Sequence, residues 1–299
     1  MLRASRRLPR MATAKRINEP LALSPLAGLG AVILTGILWG TIGVVTGQLK
    51  AAFPGVDGGP STLSSLVLVV VRLAITAPAA AITARLLLGR GVGIATAIEL
   101  CLAPVLVATL SVVLLRERPD RMIIGAIAFA AIGTVVIALN GAATANPATF
   151  QAGILWSFAC MIGYASYIVL VRQLAAGIHP LELVALSATG GFAVLSVVSS
   201  VVGVKLPELA GKDLLLPGLQ FAYLALIATC LAYALFVSGV RATSATTGSL
   251  GALAMPPTAT ILAALLLNQI PSIEVVIGQV LLMAAMAVTI LRTARRLNA

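Results

Sequence analysis

The chain has 299 residues, 60% of them hydrophobic and 10% charged, with a formal net charge of +11. Its mean hydropathy of +1.09 is more apolar surface than a soluble domain of this length can hide, because most of such a domain's surface must face water. The positive charge does not point to nucleic acid either. Arg3, Arg6, Arg7, Arg10, Lys15 and Arg16 precede the first apolar run, and Arg292, Arg295 and Arg296 follow the last, where basic residues hold a membrane protein's orientation and meet anionic lipid.

Residues 1–27 read as a basic cytoplasmic tail. SRRLPR at 5–10 resembles a twin-arginine signal, but the apolar run starts well downstream, is too long for a signal core, and has no Ala-x-Ala site after it. Apolar runs of about 20 residues, enough to cross ~30 Å of hydrocarbon, then fall at 28–48, 64–86, 91–115, 122–140, 151–171, 181–204, 216–239, 244–267 and 273–291. Their length predicts an all-α integral membrane protein, since barrel strands need only ~10 residues in strict alternation. Cys101, Cys160 and Cys230 all lie inside apolar runs without metal or redox spacing, so they read as small packing residues. His179 stands alone beside Pro180 and reads as loop surface. No metal site and no cofactor are expected.

The string of segments occurs twice. GILWGTIGVVTGQLK at 36–50 is echoed by GILWSFACMIGYASYIVLVRQL at 153–174. GVGIATAIELCLAPVLVATLSVVLLRERP at 91–119 is echoed by TSATTGSLGALAMPPTATILAALLLNQIP at 243–271. Two similar membrane halves around a central site are a common construction of secondary transporters. The repeats are 28–140 and 151–292, with 293–299 a second cytoplasmic tail.

The halves do not match in number, because 216–239 has no counterpart in the first. With the N-terminus inside, Arg85 and Arg90 are cytoplasmic, but the next loop, Arg116 to Arg121, would fall outside, against the positive-inside rule. One more span between Arg90 and Gly91 returns every basic cluster to the cytoplasm, including Arg172, Arg241 and the C-terminal tail, with Lys205 and Lys212 as exceptions. The expectation is therefore an inverted repeat of five plus five spans and two cytoplasmic termini. Four plus five are visible, and a third span of about 25 residues, one crossing, is missing between 90 and 91.

LWGT at 38–41, Arg72-Leu73, APVLVATLSVVLLRERP at 103–119 and the glycines of Ile124-Gly125 and Ile132-Gly133 resemble the EamA repeat of the drug/metabolite transporter superfamily. The resemblance covers about 28–292 and is nearest to bacterial amino-acid exporters of the YddG type. It implies a ten-helix fold with two EamA bundles, a central cavity lined by both halves, and export without an ATPase domain. Two departures stand out: the missing third span removes part of the cavity wall, and Asn268-Gln269 stands where the family usually has a Gly-Glu-Arg-like turn.

Among candidate site residues, Arg72 lies about mid-span and Glu99 inside 91–115. A charge at that depth costs roughly 2.5–3.5 kcal/mol, so it faces protein or water. Glu99 could bind an ammonium or a proton while Arg72 meets a carboxylate; the alternative is an ion pair locking two helices, or an arginine that snorkels to the cytoplasmic end. Trp39, Trp156, Tyr164, Tyr167, Tyr223 and Tyr233 all lie in apolar runs. Such side chains present an apolar body with a polar tip, suited to a small amphipathic or cationic ligand. An interfacial aromatic belt is the other reading and fits Trp156 nearly as well. Trp39, Tyr164, Tyr167, Tyr223 and Tyr233 join Arg72 and Glu99 as predicted substrate contacts. Pro104, Pro256 and Pro257 occupy matching spans and, with Gly251, are predicted hinges, because proline breaks the i→i−4 ladder. Gly40, Gly43, Gly47, Gly125, Gly133 and Gly163 are expected to allow close helix approach.

These features predict a secondary-active exporter of small metabolites, amino acids first, working by alternating access as a monomer in a bacterial inner membrane. Its partners are a small-molecule substrate and the bilayer. An exporter of drugs or quaternary cations is the second reading, although Arg72 beside Glu99 favours a zwitterion. An enzyme is disfavoured because Asp57, Asp120 and Asp213 lie in loops and neither Gly-x-Ser-x-Gly nor His-Glu-x-x-His occurs. A pump would need a Walker motif, a channel a repeated selectivity element.

Overall fold

In hydrocarbon no water can satisfy backbone N–H and C=O groups, so a spanning segment must bond within itself, and the described apolar runs are helical. The computed structural model describes residues 23–54, 63–88, 121–144, 163–164, 166–168, 171, 178–204, 207, 213–243 and 245–297. The 90/91 junction, the run 91–115 with Glu99 and Pro104, and Trp156 lie outside the described residues.

Helix α1 (Pro25–Ala52) starts at a Ser24 cap whose Oγ accepts the Ala27 N–H at 3.2 Å, with Pro25 in the first turn where its missing N–H costs nothing. α2 (Ser65–Leu88) carries an internal Pro78, and α3 is Arg121–Thr144. α4 (Pro180–Val202) ends on Gly203 in the left-handed region, φ 69°. The next span is composite: α5 (Leu215–Ala222), a π-helix (Tyr223–Leu231) and α6 (Ala232–Ala242). α7 (Ala245–Gly251) and α8 (Met255–Leu267) are separated by a 3-10 turn, Ala252–Ala254, just before the predicted Pro256-Pro257 break. Asn268 closes α8 at φ 53°, which answers why a departure from the usual turn is tolerated there: Asn visits that region more readily than most residues. α9 is Ile273–Leu297.

Six segments are long and apolar enough to cross a membrane, counting Leu215–Ala242 and Thr247–Leu267 as single spans, and α3 adds the shorter apolar stretch Ile124–Ile137. The chain is a multi-pass, all-helical membrane protein, with no strand among the described residues. His179 is not simple loop surface. It caps α4, its Nδ1 accepting the Leu181 N–H at 3.3 Å while its own N–H donates to Glu182 Oε2 at 3.1 Å.

Equivalent helices of the two repeats pack on each other: α2 on α4, and α3 on α9. α1 seats against α6, α8 and the 3-10 turn. This is the pairing that a twofold axis running between the halves demands, and the two-repeat fold is the one expected. Small residues set the approach, since helices in lipid gain contact mainly by close packing. A Cβ on Gly133 would lie 2.5 Å from Gly278 O, and one on Gly278 would lie 2.7 Å from Gly133 O. A Cβ on Gly40 would lie 2.6 Å from Thr258 Cβ. A Cβ on Gly43, Gly125 or Gly163 would meet no neighbour within 4 Å among the described residues.

Candidate functional site

Arg72 begins the site. It is the eighth residue of α2, roughly 10 Å along the helix from Ser65 at 1.5 Å per residue. With Leu73 it faces a cavity of about 470 Å³ whose other walls are Val184, Ser187 and Ala188 of α4, Gly163, Tyr164 and Tyr167, and Thr229 and Tyr233 from the composite span. Helical spacing explains the lining, because residues three and four apart share a face: Tyr164 with Tyr167, Val184 with Ser187 and Ala188, Thr229 with Tyr233.

Three buried polar atoms here have no hydrogen-bond partner among the described residues: Arg72 Nε, Tyr164 Oη and Tyr167 Oη. Ser187 lies close to the Tyr167 hydroxyl, but no bond of proper geometry joins them. The Ser187 proton is directed at Leu183 O, 2.8 Å away, or Val184 O, 3.2 Å. Glu182, the buried carboxylate on α4, is committed to the helix cap. No described carboxylate lines the cavity, and no metal-ligand cluster occurs among the described residues. Buried polar groups are nearly always bonded, so three orphans converging on one void mark a place built to receive something polar.

An aromatic cluster stiffens this wall. Phe236, fully buried, lies tilted against Trp39 at 5.2 Å and Tyr164 at 5.7 Å and stacks on Tyr167 at 6.4 Å. Trp39 lies 5.0 Å from Tyr233 and meets Tyr164 edge-on at 6.1 Å, while Tyr167 meets Tyr233 edge-on at 5.7 Å. Such offset and T-shaped pairs are favoured by ring quadrupoles.

The structure thus brings together Arg72, Tyr164, Tyr167 and Tyr233, and puts Trp39 behind them as support rather than lining. Tyr223 is elsewhere. Its hydroxyl bonds Thr41 Oγ1 at 2.8 Å beside the cluster of Leu49, Phe53, Leu63 and Leu224. Gly251, Pro256 and Pro257 are not in the wall; they form the break on which α1 rests. Thr229 and Ser187 are cavity residues that sequence reasoning missed, and Phe236 is a missed support packed behind the wall with Trp39. The signal available was spacing: Thr229, Tyr233 and Phe236 recur four and three apart on one helical stripe.

Residues 151–291 match the EamA-like transporter family. One crystal structure of a protein, 21% identical, aligns over 93% of this chain and 100% of its own with a TM-score of 0.62, a likeness of fold. No curated protein matches. The family match to the second half supports a membrane transporter rather than an enzyme.

Proposed function

We propose that the chain is a secondary-active carrier that exports amino acids, with Arg72 as the contact for the substrate carboxylate. The observation that carries this is the buried, unbonded Arg72 Nε facing a tyrosine-lined cavity. A guanidinium held in low dielectric with no counter-ion among the described residues gains most from a planar carboxylate, which it can meet with parallel N–H donors. The tyrosine hydroxyls supply further donors, and the ring cluster accepts an apolar side chain. Glu99, outside the described residues, is the candidate for the substrate ammonium or a coupling proton.

In this reading the halves rock about the cavity as in other inverted-repeat carriers, and the interrupted helix at Gly251–Pro257 absorbs the bending, with Pro104 its counterpart. The carrier is a monomer of the bacterial inner membrane with both termini in the cytoplasm, of the same type as the YddG-like exporters. A quaternary cation would find aromatic faces here, but it would also meet the positive charge of Arg72, which no described carboxylate balances in the cavity.

Counterflow in proteoliposomes loaded with unlabelled neutral and aromatic amino acids tests this. Labelled amino acid should enter wild-type vesicles and fail to enter those holding Arg72→Ala. Exchange that survives Arg72→Ala removes the carboxylate contact; exchange of tetraphenylphosphonium and of no amino acid would hand the site to the cation reading.

A further inference from the structure

The span that supplies Thr229 and Tyr233 holds one irregularity. From Tyr223 to Leu231, nine residues run as a π-helix between two α-helices. The Ala232 N–H reaches back to Ile227 O, and Thr229 Oγ1 donates to Leu224 O at 2.6 Å, each a five-residue step. Such segments are rare, mostly one turn long, and frequent at functional sites.

Two threonines from other helices close on its ends. Thr76 Oγ1 of α2 lies 3.0 Å from Ala225 O, and Thr35 Oγ1 of α1 lies 3.0 Å from Ala232 O. Both side chains are fully buried. Each hydroxyl also faces its own helix, Thr76 the Arg72 carbonyl at 2.8 Å and Thr35 the Ala31 carbonyl at 2.9 Å, so a single proton is shared between two acceptors. Thr76 therefore joins the backbone of Arg72 to the segment that carries the cavity's Thr229 and Tyr233.

We infer that Thr76 and Thr35 are positioning residues for the cavity: by holding the carbonyls of Ala225 and Ala232 they fix where the extra residue of the π-segment sits, and so which side chains of this span face the void. While α5 and the body of α6 beyond its first turn stay packed, the extra residue cannot vanish; it can only migrate along the helix. Each residue it passes turns by about 100°, one helical position. Migration past both Thr229 and the first turn of α6 presents Cys230 and Ala234, or Ala228 and Ala232, in place of Thr229 and Tyr233. All four replacements lack a hydroxyl, so the wall would lose both polar contacts from this span while its bulk fold persists.

The consequence for transport rests on the export reading above, but the register does not, and it is read without substrate. The full chain with Cys101→Ser, Cys160→Ser and Cys230→Ser is reconstituted, and single cysteines at 228, 229, 230, 232, 233 and 234 are reacted with a small methanethiosulfonate. Positions 229 and 233 should react fastest. Thr76→Val should move the fast pair by one position and raise the KM for the carried amino acid more than it lowers the maximal rate. Thr76→Ser should restore the original pair. Thr35→Val gives a second reading of the same shift if Thr76→Val does not fold. If 229 and 233 remain the fast pair in both valine variants, the positioning role is wrong. If wild-type vesicles exchange no amino acid while the labelling still shifts, the export reading falls and the register assignment stands.

Discussion

Tyr164 and Tyr167 each keep a buried hydroxyl that no described group satisfies, and this sets their stability apart from their use. Removing an unbonded buried hydroxyl leaves its neighbours paired as before, so Tyr164→Phe and Tyr167→Phe should hold the melting temperature or raise it, by up to about 1 kcal/mol of stability. A hydroxyl that bonds a charged substrate group is worth about 1.5–3 kcal/mol, so the same variants should weaken exchange roughly tenfold or more in KM. A lower melting temperature with unchanged KM would mean that these hydroxyls serve the fold alone. Phe236 gives the opposite pattern. It is fully buried among Trp39, Tyr164 and Tyr167, and Phe236→Ala should cost about 3–5 kcal/mol through the void it leaves. A melting curve in detergent that barely moves would contradict that packing.

At the scale of elements, the span from Ala245 to Leu267 is interrupted where its prolines begin: α7 stops at Gly251, three residues form a 3-10 turn, and α8 resumes at Met255. Pro256 and Pro257 lack the N–H groups that would bond back to Ala252 and Leu253. Replacing both with alanine returns two donors that can bond back across the 3-10 turn, while in the first turn of α8 the prolines themselves cost the helix little. The expected result is a helix at least as heat-resistant as wild type and a slower exchange rate, because the bend becomes harder to work. Exchange at the wild-type rate in a protein of equal stability would remove these prolines from gating. The break also forms the seat of α1, where Gly40 lies so close that a Cβ would meet Thr258 Cβ at 2.6 Å. Gly40→Leu should separate α1 from α8 and destabilise the bundle by about 1–3 kcal/mol or more, seen as a lower melting temperature.

At the scale of the molecule, the seam between α3 and α9 is nearly self-complementary, with Gly133 and Gly278 each approaching the other's carbonyl oxygen. Reciprocal contact is the signature of a twofold relation. Gly133→Leu and Gly278→Leu should therefore lower stability by similar amounts, about 1–3 kcal/mol each, and their combination should fall short of the sum because both open the same seam. Strongly unequal or fully additive effects on thermal unfolding would argue that the seam is not shared symmetrically.

The membrane class, the helical spans among the described residues, the two-repeat fold and the helix break before Pro256 were legible in the sequence, because each depends on local matters: run length, apolar composition, and a missing N–H. Caps were not read: the Ser24 cap escapes the reading of the sequence, and His179 reads there as loop surface although its side chain and Glu182 form a capping box. Which aromatic faces the cavity was a different kind of question. Tyr223 and Tyr233 share one apolar run and looked alike, yet one bonds Thr41 and the other lines the void. Their facing depends on a π-segment, YLALIATCL, whose composition is that of any membrane helix. That segment is tied by Thr35 and Thr76, which lie 197 and 149 residues away from their acceptors. Helix register is set by such distant contacts, and only the packed bundle brings them together.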